Sequence, residues 1–72
     1  MEDILEGKWK QLKGRVQEEW GDLTDDDLDM INGSRTRLEG KIQERYGRTR
    51  AEARAEIDDW LEDLEDEYED VY

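Results

Sequence analysis

The residues of this chain that could do chemistry are carboxylates and guanidinium groups, and they lie in blocks. Asp25, Asp27 and Asp29 stand at positions 1, 3 and 5 of a calcium-loop pattern. The pattern then fails: position 6 should be glycine and is Met30, and position 12 should be a bidentate glutamate and is Thr36. Helix capping accounts for this acidic run better than calcium. A longer acidic block, Glu56 to Asp70, has the composition to hold divalent cations diffusely or to mimic a phosphate backbone, and its simplest reading is a solvated helix face. Arg35, Arg37, Lys41, Arg45, Arg48 and Arg50 form the basic segment. They are candidate phosphate contacts for a weak nucleic-acid-binding module. The competing reading is internal: these cations neutralise the acids of the neighbouring helices.

Catalytic chemistry has little to work with. The 72 residues include neither histidine nor cysteine, so the commonest general base, the thiolate nucleophile and the thiolate metal site are all missing. Ser34 has no histidine to activate it. Carboxylate pairs such as Asp58 and Asp59 follow from 23 acids in the chain, and nothing marks the asymmetric environments that acid–base work needs. The expectation is a chain that is not an enzyme and carries no cofactor and no metal.

The net charge of −12 is unevenly placed. Residues 22–33 carry five acids and no base, 34–50 six bases and two acids, and 51–72 eleven acids and one base. Such a chain repels nucleic acid and anionic membranes at long range while one segment stays locally basic. The longest apolar run falls far short of the roughly 20 residues a bilayer span needs. The acidic start, Met1-Glu2-Asp3, lacks a signal-peptide pattern, and a cytoplasmic location is expected.

The elements that position these groups read as helices. Leu5, Trp9, Leu12, Val16 and Trp20 draw one apolar stripe at helical spacing and predict a first helix over 3–20, with Gly21 suited to a left-handed stop. Thr24 is a candidate N-cap with Asp27 at the third position, a capping box in which Asp replaces the usual Glu. Leu23 and Leu28 fall where a hydrophobic staple closes. A short second helix over 25–31 ends at Asn32-Gly33. Ser34 caps a third helix with Leu38, Ile42 and Tyr46 inward, and Gly47 stops it. Thr49 and Glu52 make a second capping box ahead of a fourth helix over 50–67, whose stripe is Ala53, Ile57, Trp60, Leu61, Leu64 and Tyr68. The chain is one domain, 1–72, with an acidic tail, about 66–72, expected to fray.

An internal repeat supports this layout. Leu12-Lys13-Gly14-Arg15-Val16-Gln17-Glu18-Glu19-Trp20-Gly21 returns 26 residues later as Leu38-Glu39-Gly40-Lys41-Ile42-Gln43-Glu44-Arg45-Tyr46-Gly47. The glycines form two ladders of step seven: Gly7, Gly14, Gly21 and Gly33, Gly40, Gly47. At about 100° per residue Gly14 lies about 200° from Leu12, opposite the apolar stripe, and Gly40 does the same in the third helix. Helix-interior glycine costs about 1 kcal/mol relative to alanine. Gly7, Gly14 and Gly40 are therefore a candidate face for close approach by a partner or a second copy, against an inherited constraint or a kink. The expected fold is all-α, a small four-helix domain of two packed hairpins related by the repeat. The expected state is a monomer or a weak self-associate.

Three stretches together resemble the CsbD-like family: Gly7-Lys8-Trp9-Lys10-Gln11-Leu12-Lys13-Gly14, Trp20-Gly21-Asp22-Leu23-Thr24-Asp25-Asp26-Asp27, and Gly40-Lys41-Ile42-Gln43-Glu44-Arg45-Tyr46-Gly47. The resemblance covers about residues 5–61. It implies a small bacterial protein of the general stress response, non-enzymatic, with no catalytic residue to carry over, and a SAM-like fold of two helical hairpins. The chain departs from the family in the acidic stretch from Glu62 to Tyr72, a surplus of the kind a salt-adapted or redesigned surface carries.

Overall fold

The computed structural model describes residues 4–69, with side chains described for 5–64. It is all-helical over that range: α1 Ile4–Gly7, α2 Trp9–Glu19, α3 Asp25–Ile31, α4 Arg35–Tyr46 and α5 Arg50–Glu69. Helix α3 packs on α4, and α4 on α5.

The predicted first helix is two helices. Lys8, at φ −122° and ψ 27°, breaks it and serves as the N-cap position of α2, its carbonyl accepting from Gln11 and Leu12 N–H. The break lies where the α3–α4 turn docks. A Cβ on Gly33 would stand 3.2 Å from Glu6 Cα and 3.3 Å from Trp9 Cβ, so the bare Gly33 backbone is seated on the α1–α2 junction. Gly7, a poor helix former, precedes the break.

The apolar stripes meet in one core. Leu5, Leu12, Val16, Trp20, Leu23, Leu28, Ile31, Leu38, Ile42, Ala53, Ile57, Leu61 and Leu64 are buried, and the partly buried Trp9, Tyr46 and Trp60 pack against them. Trp20 and Trp60 meet edge to face with ring centroids 5.2 Å apart. The stripe position Tyr68 and the tail expected to fray lie outside the described side chains.

The termini of the helices follow local chemistry, with one exception. Thr24 Oγ1 accepts the Asp27 N–H at 3.1 Å and Asp27 Oδ2 accepts the Thr24 N–H at 3.1 Å, which closes the expected capping box. Thr49 and Glu52 reciprocate in the same way at 2.9 and 3.1 Å. Ser34 Oγ accepts the Arg37 N–H at 3.3 Å. Asn32 and Gly47 take left-handed conformations at the ends of α3 and α4. Gly21 does not, because α2 ends earlier. Trp20 leaves the helix at φ −121° with its indole in the core, and the chain turns away through Asp22, whose N–H donates to the Tyr46 hydroxyl at 3.0 Å.

Candidate functional site

Asp27 is the chemical centre of the fold. It is buried, 2% exposed, at the third position of α3. Besides the Thr24 N–H it accepts from Arg45 through both oxygens, Nε to Oδ2 at 2.9 Å and Nη2 to Oδ1 at 3.1 Å. Lys41 Nζ sits 3.3 Å from Oδ1. Lys41 and Arg45 are four residues apart on α4, so one helix face presents both cations to α3. The Arg45 fork, then the Thr24 N–H and Lys41, hold the Asp27 carboxyl far below the ordinary carboxylate range despite its burial. The same pairing pushes the Arg45 guanidinium upward. Every lone pair that could ligate a cation is thus already engaged, which is why Asp27 acts as a structural tie between α3 and α4 and not as position 3 of a calcium loop.

Each of the six candidate phosphate contacts has a partner within the molecule. Arg35 pairs with Asp58. Arg37 Nη1 donates to the Met30 carbonyl at 3.0 Å. Lys41 pairs with Asp27 and, at 3.6 Å, with Glu44. Arg45 forks onto Asp27. Arg48 Nε lies 2.8 Å from Glu56, with its guanidinium carbon 6.0 Å from the Tyr46 ring centroid. Arg50 and Arg54 each stand 3.7 Å from the buried Glu39. The basic segment therefore ties α4 to α3 and α5.

The candidate glycine face is open. A Cβ added at Gly14 or at Gly40 would meet nothing within 4 Å. Gly40 floors an open cleft of about 510 Å³ lined also by Met30, Arg37, Lys41 and Glu44. Met30, 57% exposed, is the exposed large hydrophobic residue among those described. Gly7 lines a different cleft, of about 540 Å³, beside Trp9 and Asn32. Gly14 lines neither. Sequence reasoning missed Met30, which it took only as a failed calcium position. The signal was its place off the Leu28–Ile31 stripe, where an apolar residue has no core to enter.

Known proteins fix the family of this chain. The chain is 64% identical over 56 residues to a UPF0337 protein of Agrobacterium fabrum, an alignment covering 78% of this chain and 84% of that one. It is 57% identical over 60 residues to a UPF0337 protein of Rhodopseudomonas palustris, covering 83% and 91%. Against the UPF0337 protein YjbJ of Escherichia coli K12 the identity is 51% over 58 residues, covering 81% and 84%. None of these names states an activity. No solved structure matches the chain. The CsbD-like family model matches residues 3–55, and with relatives this similar along most of their length, the chain belongs to the CsbD-like family.

Proposed function

We propose that this chain is a non-enzymatic, cytoplasmic protein of the bacterial general stress response that works by contact, as an interaction or protective module. Membership of the CsbD-like family supports the stress-response reading. The proposed architecture is a four-helix unit of two hairpins related by the internal repeat, with α1 and α2 together standing for the first helix, in a SAM-like arrangement. The matched Thr24 and Thr49 capping boxes support it.

One observation carries the interaction reading. Gly14 and Gly40 each cost helix stability, and neither is needed to make room for anything inside the molecule. Backbone kept bare at that cost, on α2 at Gly14 and on α4 at Gly40, suits close approach by a partner or a second copy, with Gly7 before the α1–α2 break as a further point of approach. The exposed Met30 beside Gly40 gives that approach apolar surface to cover. Among the described residues no helix is long and apolar enough to cross a membrane.

Amide NMR spectra over a dilution series test the self-contact form. The expected result is concentration-dependent shifts around Gly14 and Gly40 that the G14A/G40A variant loses. Self-association unchanged in that variant sinks the glycine face. The same spectra with a short DNA duplex at low salt test the alternative. Shifts confined to Arg35–Arg50 that vanish as salt rises would replace this reading with a weak nucleic-acid module.

A further inference from the structure

We infer that Asn32-Gly33, at the α3–α4 turn, is a latent deamidation site that the fold holds shut and that opening of the turn exposes to reaction. Asn32 is the one asparagine of the chain, and it is solvent-exposed at the C-terminal cap of α3. In the reaction the Gly33 backbone nitrogen gives its proton to water and attacks Asn32 Cγ. A new N–Cγ bond closes a five-membered succinimide, the Cγ–Nδ2 bond breaks, and ammonia leaves. Water then opens the ring at either carbonyl and yields aspartate or isoaspartate. A following glycine leaves the attacking nitrogen unhindered, since it has no Cβ.

The native geometry forbids the first step. Ring closure needs the Gly33 nitrogen on the same side of the Cα–C bond as the Asn32 Cβ. At φ 43° and ψ 45° that nitrogen stands nearly opposite. Rotation into reach would swing Gly33, and Gly33 is held. It sits at φ 83° with its backbone against Glu6 and Trp9, so close that an added Cβ would lie 3.2 Å from Glu6 Cα. On either side, Asn32 N–H donates to the Leu28 carbonyl at 3.0 Å and Ser34 N–H to the Ile31 carbonyl at 2.8 Å. The turn must therefore lift off the α1–α2 junction before the amide can react.

The isoaspartate product does not restore the turn. Isoaspartate adds a methylene to the backbone at the position where Asn32 tolerates a left-handed conformation, and the lost amide takes the net charge from −12 to −13. Each modified molecule is then a lasting record that the turn has opened.

The test is peptide mapping by mass spectrometry of the full chain, incubated in mildly alkaline buffer with and without guanidinium chloride. Deamidation adds about 1 Da to the peptide holding 32–33. The expected result is a rate at least about tenfold higher in the unfolded chain, since the native rate is scaled by the fraction of time the turn is open. N32G keeps a residue at ease in the left-handed conformation and removes the amide, and it should show no mass gain in either condition. Equal rates with and without guanidinium overturn the inference. So does an unfolded chain that fails to react, or a mass gain that survives in N32G.

Discussion

Alanine at Gly14 and Gly40 should stabilise this domain, and the size of the gain follows from the structure. In each case the residue lies inside an α-helix with a surface-exposed backbone, and the added methyl meets nothing within 4 Å. No clash offsets the propensity gain, which is about 1 kcal/mol per site. The sites are on different helices and share no neighbour, so the gains should add to about 2 kcal/mol. For a domain of this length each kcal/mol moves the melting temperature by about 4–8 °C, so G14A/G40A should melt about 8–16 °C above the parent. Thermal and urea unfolding followed by circular dichroism would measure it. Gly33 supplies the opposite control. Its φ of 83° strains any side chain, and an added Cβ would crowd the Glu6 backbone at 3.2 Å, so G33A should destabilise. If the double variant melts at or below the parent temperature, the glycines serve the fold itself, for instance through a kink, and the argument that they are kept for an outside contact fails.

Other outcomes follow from the same geometry. Thr24→Ala removes the acceptor of the Asp27 N–H and should cost about 1 kcal/mol in urea denaturation, with an unchanged transition slope. Leu12→Ala empties a fully buried site and should cost about 2–5 kcal/mol, a large share of the roughly 4–11 kcal/mol available to a chain this size. The folded-state pKa of Asp27 is depressed, so its ionisation adds stability that is complete above its ordinary value of 3.8 and is lost as the pH falls from there towards the lower folded value. The stability difference between wild type and Asp27→Asn should accordingly shrink on acidification below that value, and a constant difference would refute the assignment. Raising NaCl from about 0.01 M to about 0.5 M should raise the melting temperature, because screening relieves the repulsion of a −12 chain by more than it weakens exposed ion pairs. A lower melting temperature at high salt would show that the ion pairs dominate.

What could be read from the sequence was whatever depends on neighbours in the chain. The stripes, the Thr24 and Thr49 boxes, the Ser34 cap and the turn at Asn32-Gly33 all involve residues within one or two helical turns of each other. The break at Lys8 was not legible, because Gly33, which is seated against that point, arrives from the α3–α4 turn, 25 residues along the chain. The conformation of Gly21 failed for a similar reason: the core takes Trp20 before the helix reaches the glycine. The candidate site divided along the same line. That the basic segment would neutralise its neighbours was a matter of charge blocks. Which cation meets which acid was not, since Arg45 and Asp27 are 18 residues apart. The two capping boxes are alike in sequence, yet only Asp27 has two cations of another helix closing over it. Glu52 remains exposed, with its pKa lowered chiefly by the Thr49 N–H and hydroxyl.

The inward use of the cations also bears on what the outside of the molecule can bind. Lys41, Arg45 and Arg35 are directed at Asp27 and Asp58, and Arg48 and Arg50 at Glu56 and Glu39. A phosphate backbone would have to displace carboxylates already held at short range, and it would do so against the long-range field of twelve surplus negative charges. The bidentate Arg45–Asp27 pair is the hardest to displace, because it would leave a buried carboxylate without its partner. On the proposed interaction reading, the contact to look for is the exposed Met30 and the bare Gly40 backbone, although Arg37, Lys41 and Glu44 line the same cleft. A partner that covers the Met30 thioether and leaves the Lys41 pairs with Asp27 and Glu44 in place meets neither cost.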